Sequence, residues 1–212
     1  MLSKRDEVDR SMRYNFDSED TSEKRKKIIK EVIIWAVEII AVILLAYFLV
    51  EYAVEKTTVV GESMETTLQE EDKIIINKFA YRFSKPKRFD VIVFKQSGKE
   101  HSYYNIKRII GLPGETVQIK DGVVYINDEP IIEKSKVDAI KNPGLAVEPI
   151  TLEDKEYFVL GDNRNLSEDS RFANIGNVVF DDIIGKAWIR LKPFNFVNEL
   201  NPADITAEET QE

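Results

Sequence analysis

The chain has no cysteine and a single histidine among 212 residues. Without thiols there can be no cysteine nucleophile, no thiolate zinc site, no Fe–S cluster and no disulfide, although a missing disulfide does not settle the redox compartment. His101 lies in the polar stretch Ser97-Gly98-Lys99-Glu100-His101-Ser102, which reads as an exposed loop and weighs against a Ser-His-Asp triad. One histidine cannot supply the usual zinc ligand cluster either, so neither a metal nor a cofactor is expected. Positive charge is not in excess: the net charge of -8 argues against a nucleic-acid binder. Helical periodicity is missing after residue 51, and only one long hydrophobic run occurs.

That run extends from Val32 to Val50, and Glu38 is its only charge. As a helix its 19 residues cross roughly 30 Å of hydrocarbon. Lys24, Arg25, Lys26, Lys27 and Lys30 precede it, a basic cluster expected to stay cytoplasmic and to place everything after Glu51 outside the cell membrane. No Ala-x-Ala follows the run closely, so an uncleaved single-pass anchor is preferred to a removed signal peptide. The organisation expected is a disordered cytoplasmic tail over 1–27, an anchor helix over 28–51, an extracytoplasmic β-rich domain over 52–196 and an acidic tail over 197–212.

Beyond the anchor, short β-rich runs are bounded by turn residues: Thr57–Val60, Lys73–Asn77, Asp90–Phe94, Tyr157–Leu160 and Ile183–Leu191. The clearest unit is Thr116–Lys120, then Asp121-Gly122, then Val123–Asn127, an alternating pair joined by a two-residue hairpin turn. The fold class expected is mainly β, an antiparallel sheet folded over or closed into a barrel, with one N-terminal membrane helix.

Three stretches can carry chemistry. Ser63 follows a β-branched run and Gly61, and its hydroxyl needs a base to become a nucleophile. With histidine set aside, the remaining base is a lysine whose ammonium an apolar setting can deprotonate, and Lys107 sits among isoleucines in Asn105–Gly111. Strand alternation also allows Lys107 to face solvent, with Ile106 and Arg108 opposite. Gly161–Arg171 is a dense polar loop directly after an apolar strand. Each stretch alone also reads as ordinary structure, a turn with a core methionine or a surface loop.

Together and in this order they resemble the type I signal peptidases, which remove signal peptides with a serine-lysine dyad. Ser63-Met64-Glu65-Thr66-Thr67-Leu68 is similar to that family's Ser-Met-x-Pro-Thr-Leu, with Thr66 in place of proline. Arg88–Phe94 resembles its strand motif, with Phe89 where glycine is usual. Lys107–Glu115, Gly161–Arg171 and Gly185-Lys186-Ala187 match closely, and Val179 stands where proline is frequent. The resemblance implies that Ser63 attacks the scissile carbonyl, that Lys107 is its general base and that Ser167 orients the lysine amine. Asp162, Arg164, Asp169 and Arg171 are implied to form a charge-paired scaffold. The Ser63 backbone N–H is implied as an oxyanion donor, Gly61 offering no hydroxyl, and Met64 is placed beside the substrate. The implied substrates are secretory preproteins cut after Ala-x-Ala by a monomeric enzyme in the lipid bilayer, with no nucleic acid involved.

Two other readings stand beside this one. A soluble serine-lysine autoprotease of the SOS-repressor kind is opposed by the anchor and by the lack of a helix-turn-helix pattern. A catalytically impaired, membrane-anchored homologue serving as a binding or scaffold protein is opposed by the retained Ser63, Lys107 and Ser167.

Overall fold

The structure is a computed structural model that describes residues 4–65, 67–96, 104–133 and 137–197. His101 and its loop, Thr66 and the acidic end with Glu208, Glu209 and Glu212 lie outside the described residues. The chain divides into two units, Met1–Glu51 and Tyr52–Glu212.

The first unit is helical. One helix, α1 (Lys4–Ala53), runs through the anchor and through residues read from sequence as a disordered tail. An apolar segment that nucleates a helix propagates it into flanking Glu, Lys and Arg at little cost, because elongation adds one hydrogen bond per residue fixed. Its portion Ser22–Ala53 is long and apolar enough to cross a membrane by length and composition. Ile39, Ile40 and Leu45, on different faces, are all exposed, as suits a segment whose solvent is lipid.

The second unit is built from two antiparallel sheets. Its strands in chain order are β1 (Val54–Thr58), β2 (Lys73–Asn77), β3 (Val91–Phe94), β4 (Asn105–Gly111), β5 (Thr116–Lys120), β6 (Val123–Ile126) and β7 (Glu129–Pro130), followed by β8 (Ile150–Thr151), β9 (Glu156–Leu160), β10 (Val178–Val179), β11 (Ile183–Leu191) and β12 (Phe194–Phe196). The larger sheet has the order β1-β2-β11-β3-β4-β9-β10, with β12 added to β11. Its edge strands β1 and β10 do not pair, so the sheet is folded but not closed into a hydrogen-bonded barrel. The smaller sheet, β7-β6-β5-β8, contains the expected hairpin: Asp121 (φ 50°) and Gly122 (φ 79°) form the left-handed two-residue turn between β5 and β6.

Three buried apolar clusters hold these sheets. Val59, Met64, Leu68, Ile74, Ile76, Val91 and Ile106 form one, beneath the segment that carries Ser63. A second joins Val117, Ile119, Val124 and Ile126 of the hairpin to Ile110, Phe158 and Leu160 of the large sheet. A third lies around Ile92, Ile109 and Val159. Because β4 and β9 contribute to more than one cluster, both faces of these central strands are covered, which sets the environment of Lys107.

Candidate active site

Ser63 sits at the tip of the connection between β1 and β2. The base of that connection is pinned by Val59 N–H to Asp72 O (2.8 Å) and Glu71 N–H to Val59 O (3.0 Å), which continue the β1–β2 ladder. Within the tip, Thr67 and Leu68 both donate to Met64 O at 2.7 Å, forming a tight turn. Met64 and Leu68 sink into the core below, which fixes how the neighbouring serine is presented. Met64, read from sequence as a substrate contact, is 1% exposed and packs among Val59, Ile74 and Ile76, so its side chain supports the site from beneath. Gly61 has φ 82°, a conformation that costs a residue with a Cβ roughly 1–2 kcal/mol, although a Cβ there would meet nothing within 4 Å.

Lys107 comes from β4, directly opposite Ile92 of β3. Its Nζ lies 2.6 Å from Ser63 Oγ. Alternation along β4 does not send it to solvent: Lys107 and its neighbour Arg108 are each 5% exposed. Burial drives the Lys107 ammonium down to about 8 from an ordinary value of 10.5; Asp169, Asp162 and Glu168 oppose that shift and Arg171 assists it. At pH 7 about one Lys107 in ten is then neutral, against fewer than about one in a thousand for an unperturbed lysine.

The loop after β9 closes over this pair. Asn163 N–H donates to Ser63 O (3.1 Å), and the Asn163 amide donates to Glu62 O (3.2 Å), tying the loop to the serine segment. Gly161 lies where no side chain fits: a Cβ there would stand 2.2 Å from Ser167 Oγ and 2.5 Å from Ser63 O. The Ser167 hydroxyl is buried and has no hydrogen-bond partner among the described residues. The hydroxyl therefore makes no hydrogen bond to the Lys107 amine in this geometry.

Asp162, Arg164, Asp169 and Arg171 of the loop are paired, but not all with one another. Asp169 accepts from Arg171 Nε at 2.7 Å, and Arg171 also donates to Arg164 O (2.6 Å), Ser167 O (3.2 Å) and Asn142 O (3.0 Å), so it stitches the loop's own backbone. Asp162 instead takes two bonds from Arg108 (2.8 and 2.6 Å) and one from the Thr67 hydroxyl (2.5 Å). Arg164 pairs with both carboxylate oxygens of Glu133, beyond β7. Arg108, Thr67 and Glu133 were not singled out from sequence. Arg108 and Thr67 lie within the two motif segments, whereas nothing in the polar stretch around Glu133 signals its role.

The network fastens three segments around Ser63 and Lys107: the serine turn through Thr67, β4 through Arg108, and the loop through Asp162. Glu133→Gln keeps the shape but removes the charge facing a buried guanidinium, and is expected to lower stability by about 1–3 kcal/mol. Thermal unfolding of the two proteins checks this. Phe89, too, holds this frame: it adopts φ 71° and directs its carbonyl to Arg108 Nη1 at 2.9 Å. Left-handed backbone suits glycine and costs a residue with a Cβ roughly 1–2 kcal/mol.

Comparison with known proteins places these features in a family. The family profile described as "Signal peptidase, peptidase S26" matches residues 24–192. A "Signal peptidase I" of Leptolyngbya laminosa is 39% identical over 166 residues, covering 76% of this chain and 79% of the relative. "Signal peptidase I T" of Bacillus subtilis (strain 168) is 34% identical over 189 residues, covering 85% of this chain and 94% of its own. Among solved structures, a signal peptidase I from Enterococcus faecalis V583 is 33% identical, covers 49% of this chain and 97% of its own, and gives a TM-score of 0.38.

Proposed function

Because the chain belongs to the signal peptidase family, peptidase S26, we propose that Ser63 and Lys107 are its catalytic pair and that it cleaves secretory preproteins after Ala-x-Ala. Its coarser identity needs no proposal: it is a peptidase of signal-peptide processing, anchored by an apolar N-terminal helix. The observation that carries the finer reading is the 2.6 Å contact between Ser63 Oγ and the Nζ of a lysine made less basic by burial.

In the neutral state Lys107 accepts the Ser63 proton as Oγ attacks the scissile carbonyl carbon. The carbonyl oxygen becomes an oxyanion, for which the backbone N–H of Ser63 is the expected donor. Lys107, now an ammonium, returns its proton to the leaving nitrogen; the peptide bond breaks and the signal peptide stays esterified to Ser63. A water then loses a proton to Lys107 and attacks the ester carbonyl, and Ser63 regains its hydrogen. Ser167, whose hydroxyl is buried in the loop beside Gly161, takes the role of orienting the lysine amine in this scheme. Asp162, Arg164, Asp169 and Arg171 touch no reacting atom in this scheme; they hold the loop that carries Ser167.

The anchor explains why the substrate arrives. A preprotein is tethered by its signal peptide in the bilayer that holds α1. With Lys24–Lys30 cytoplasmic, residues 52–196 work at the outer surface, where the cleavage site emerges.

The test is cleavage of a membrane-presented precursor whose signal peptide ends in Ala-x-Ala. The new N-terminus is expected directly after the second alanine, and a precursor with tryptophan there is expected to resist. Activity is also expected to depend on pH in one direction: since the neutral lysine reacts, kcat/KM rises about tenfold per pH unit below about 8 and levels off above it. Rate profiles between pH 6 and about 9.5 check this, and a rate that falls across that range rules out a lysine base.

A further inference from the structure

The first ten residues of the connection between β2 and β3 read Lys78-Phe79-Ala80-Tyr81-Arg82-Phe83-Ser84-Lys85-Pro86-Lys87: four cations, three aromatics and no acid, in a chain of net charge -8, with Asp90 the one acid before β3. It is well ordered. Phe79 N–H donates to Asn77 Oδ1 (3.0 Å), Arg82 N–H to Phe79 O (3.1 Å), the Ser84 hydroxyl to Ala80 O (2.6 Å) and Lys87 N–H to Asp90 Oδ2 (3.1 Å). These bonds present Phe83 to solvent at 89% exposure, with its ring centroid 6.4 Å from that of Phe79, over which the Arg82 guanidinium stacks. Glu55 engages Lys78 at 3.2 Å, whereas Arg82, Lys85 and Lys87 have no carboxylate partner among the described residues.

Chain connectivity sets where this loop works. Lys78 N–H donates to Ala53 O at 2.9 Å. Ala53 follows Val50, the last apolar residue of the membrane run, by three residues, at most about 11 Å of backbone. The loop therefore starts within reach of the bilayer surface whatever the direction of the intervening chain.

We propose that residues 78–87 form a second membrane contact, in which Phe83 and Phe79 enter the interface and Arg82, Lys85 and Lys87 bind anionic phospholipid headgroups. Aromatic rings prefer the interface, and cations within a Debye length of an anionic leaflet are drawn to it. The contact adds a second attachment at the end of the β1–β2 ladder where Val54 pairs with Asn77, the end opposite the turn that carries Ser63. It limits how far the catalytic unit swings about its anchor. The proposal rests on the membrane-anchored reading above but not on the catalytic one.

The absence of cysteine makes the test clean, because Ser84→Cys gives a single labelling position. The full chain with an environment-sensitive fluorophore at that position is reconstituted into vesicles of phosphatidylcholine alone, or of equal parts phosphatidylcholine and phosphatidylglycerol. The probe is expected to shift to the blue and to be shielded from aqueous iodide in the anionic vesicles. Arg82→Gln/Lys85→Gln/Lys87→Gln is expected to weaken docking about fivefold per cation, about a hundredfold together, and to restore quenching. Equal iodide access in both vesicles, or an unchanged signal in the triple variant, overturns the proposal. Fluorescence needs no turnover, so an inactive enzyme with a shielded loop refutes only the catalytic reading, and an active enzyme with an exposed loop refutes only this one.

Discussion

Lys107→Met is expected to lower kcat/KM for an Ala-x-Ala precursor by about 10³-fold or more, with Ser63→Ala equally damaging and the double variant no worse than either. Nucleophile and base act as one unit, so removing either forfeits the same step. Methionine approximates the length and apolarity of the lysine stem, so packing beside Ile92 survives while the amine is lost. Lys107→Arg sharpens the test. A guanidinium keeps the charge but does not deprotonate in the working pH range, so the arginine variant should be as inactive as the methionine one. Initial rates of precursor cleavage give all four values. An arginine variant with wild-type rate would show that the position supplies charge and not basicity.

Gly161→Ala is expected to cost about 10²-fold in kcat although neither member of the pair is substituted. The added Cβ would stand 2.2 Å from Ser167 Oγ, 2.4 Å from Ser167 Cβ and 2.5 Å from Ser63 O, closer than atoms pack. Both neighbours are held, Ser63 through Asn163 N–H and Ser167 through Arg171, so the strain moves the serine turn and the loop apart. A displacement near 1 Å at reacting groups is worth roughly a hundredfold in rate. Gly114→Ala is the control. Unlike Gly161 it has a positive φ (81°), and it meets nothing within 4 Å, so it should cost about 1–2 kcal/mol of stability and leave kcat unchanged. Kinetics and thermal unfolding on the two variants separate crowding at the site from backbone strain.

Much of the frame was legible because local rules and tertiary structure agree. Lys73–Asn77, Thr116–Lys120 and Ile183–Leu191 are strands over the very residues their patterning indicates, and Asp121-Gly122 forms the turn its chemistry demands. The serine and lysine stretches were legible as chemistry because alternatives were missing: with no thiol and one histidine, few groups could activate a hydroxyl.

What was not legible depends on long-range topology. Alternation leaves Lys107 open to solvent, yet β4 is central and covered on both faces, and that coverage is what makes the amine less basic, so that its neutral form is plentiful near pH 8. The loop's acids and arginines invite pairing with each other; the fold instead sends Asp162 to Arg108 and Arg164 to Glu133, partners 54 and 31 residues away. Met64 adjoins the nucleophile in sequence but points into the core, because a tight turn alternates what it exposes and what it buries. The helical backbone from Lys4 onward also escaped a reading by composition, since its charged residues show no apolar face until the anchor begins.

The central claim is that burial makes Lys107 a base near neutrality, and the most direct measurement is its own titration. With lysines labelled at 13Cε, the Lys107 resonance is identified by its disappearance in Lys107→Met and followed with pH in the intact protein. The account predicts a midpoint at about 8, coincident with the acid limb of kcat/KM. A midpoint at the ordinary lysine value, or one that parts from the kinetic limb, would contradict it.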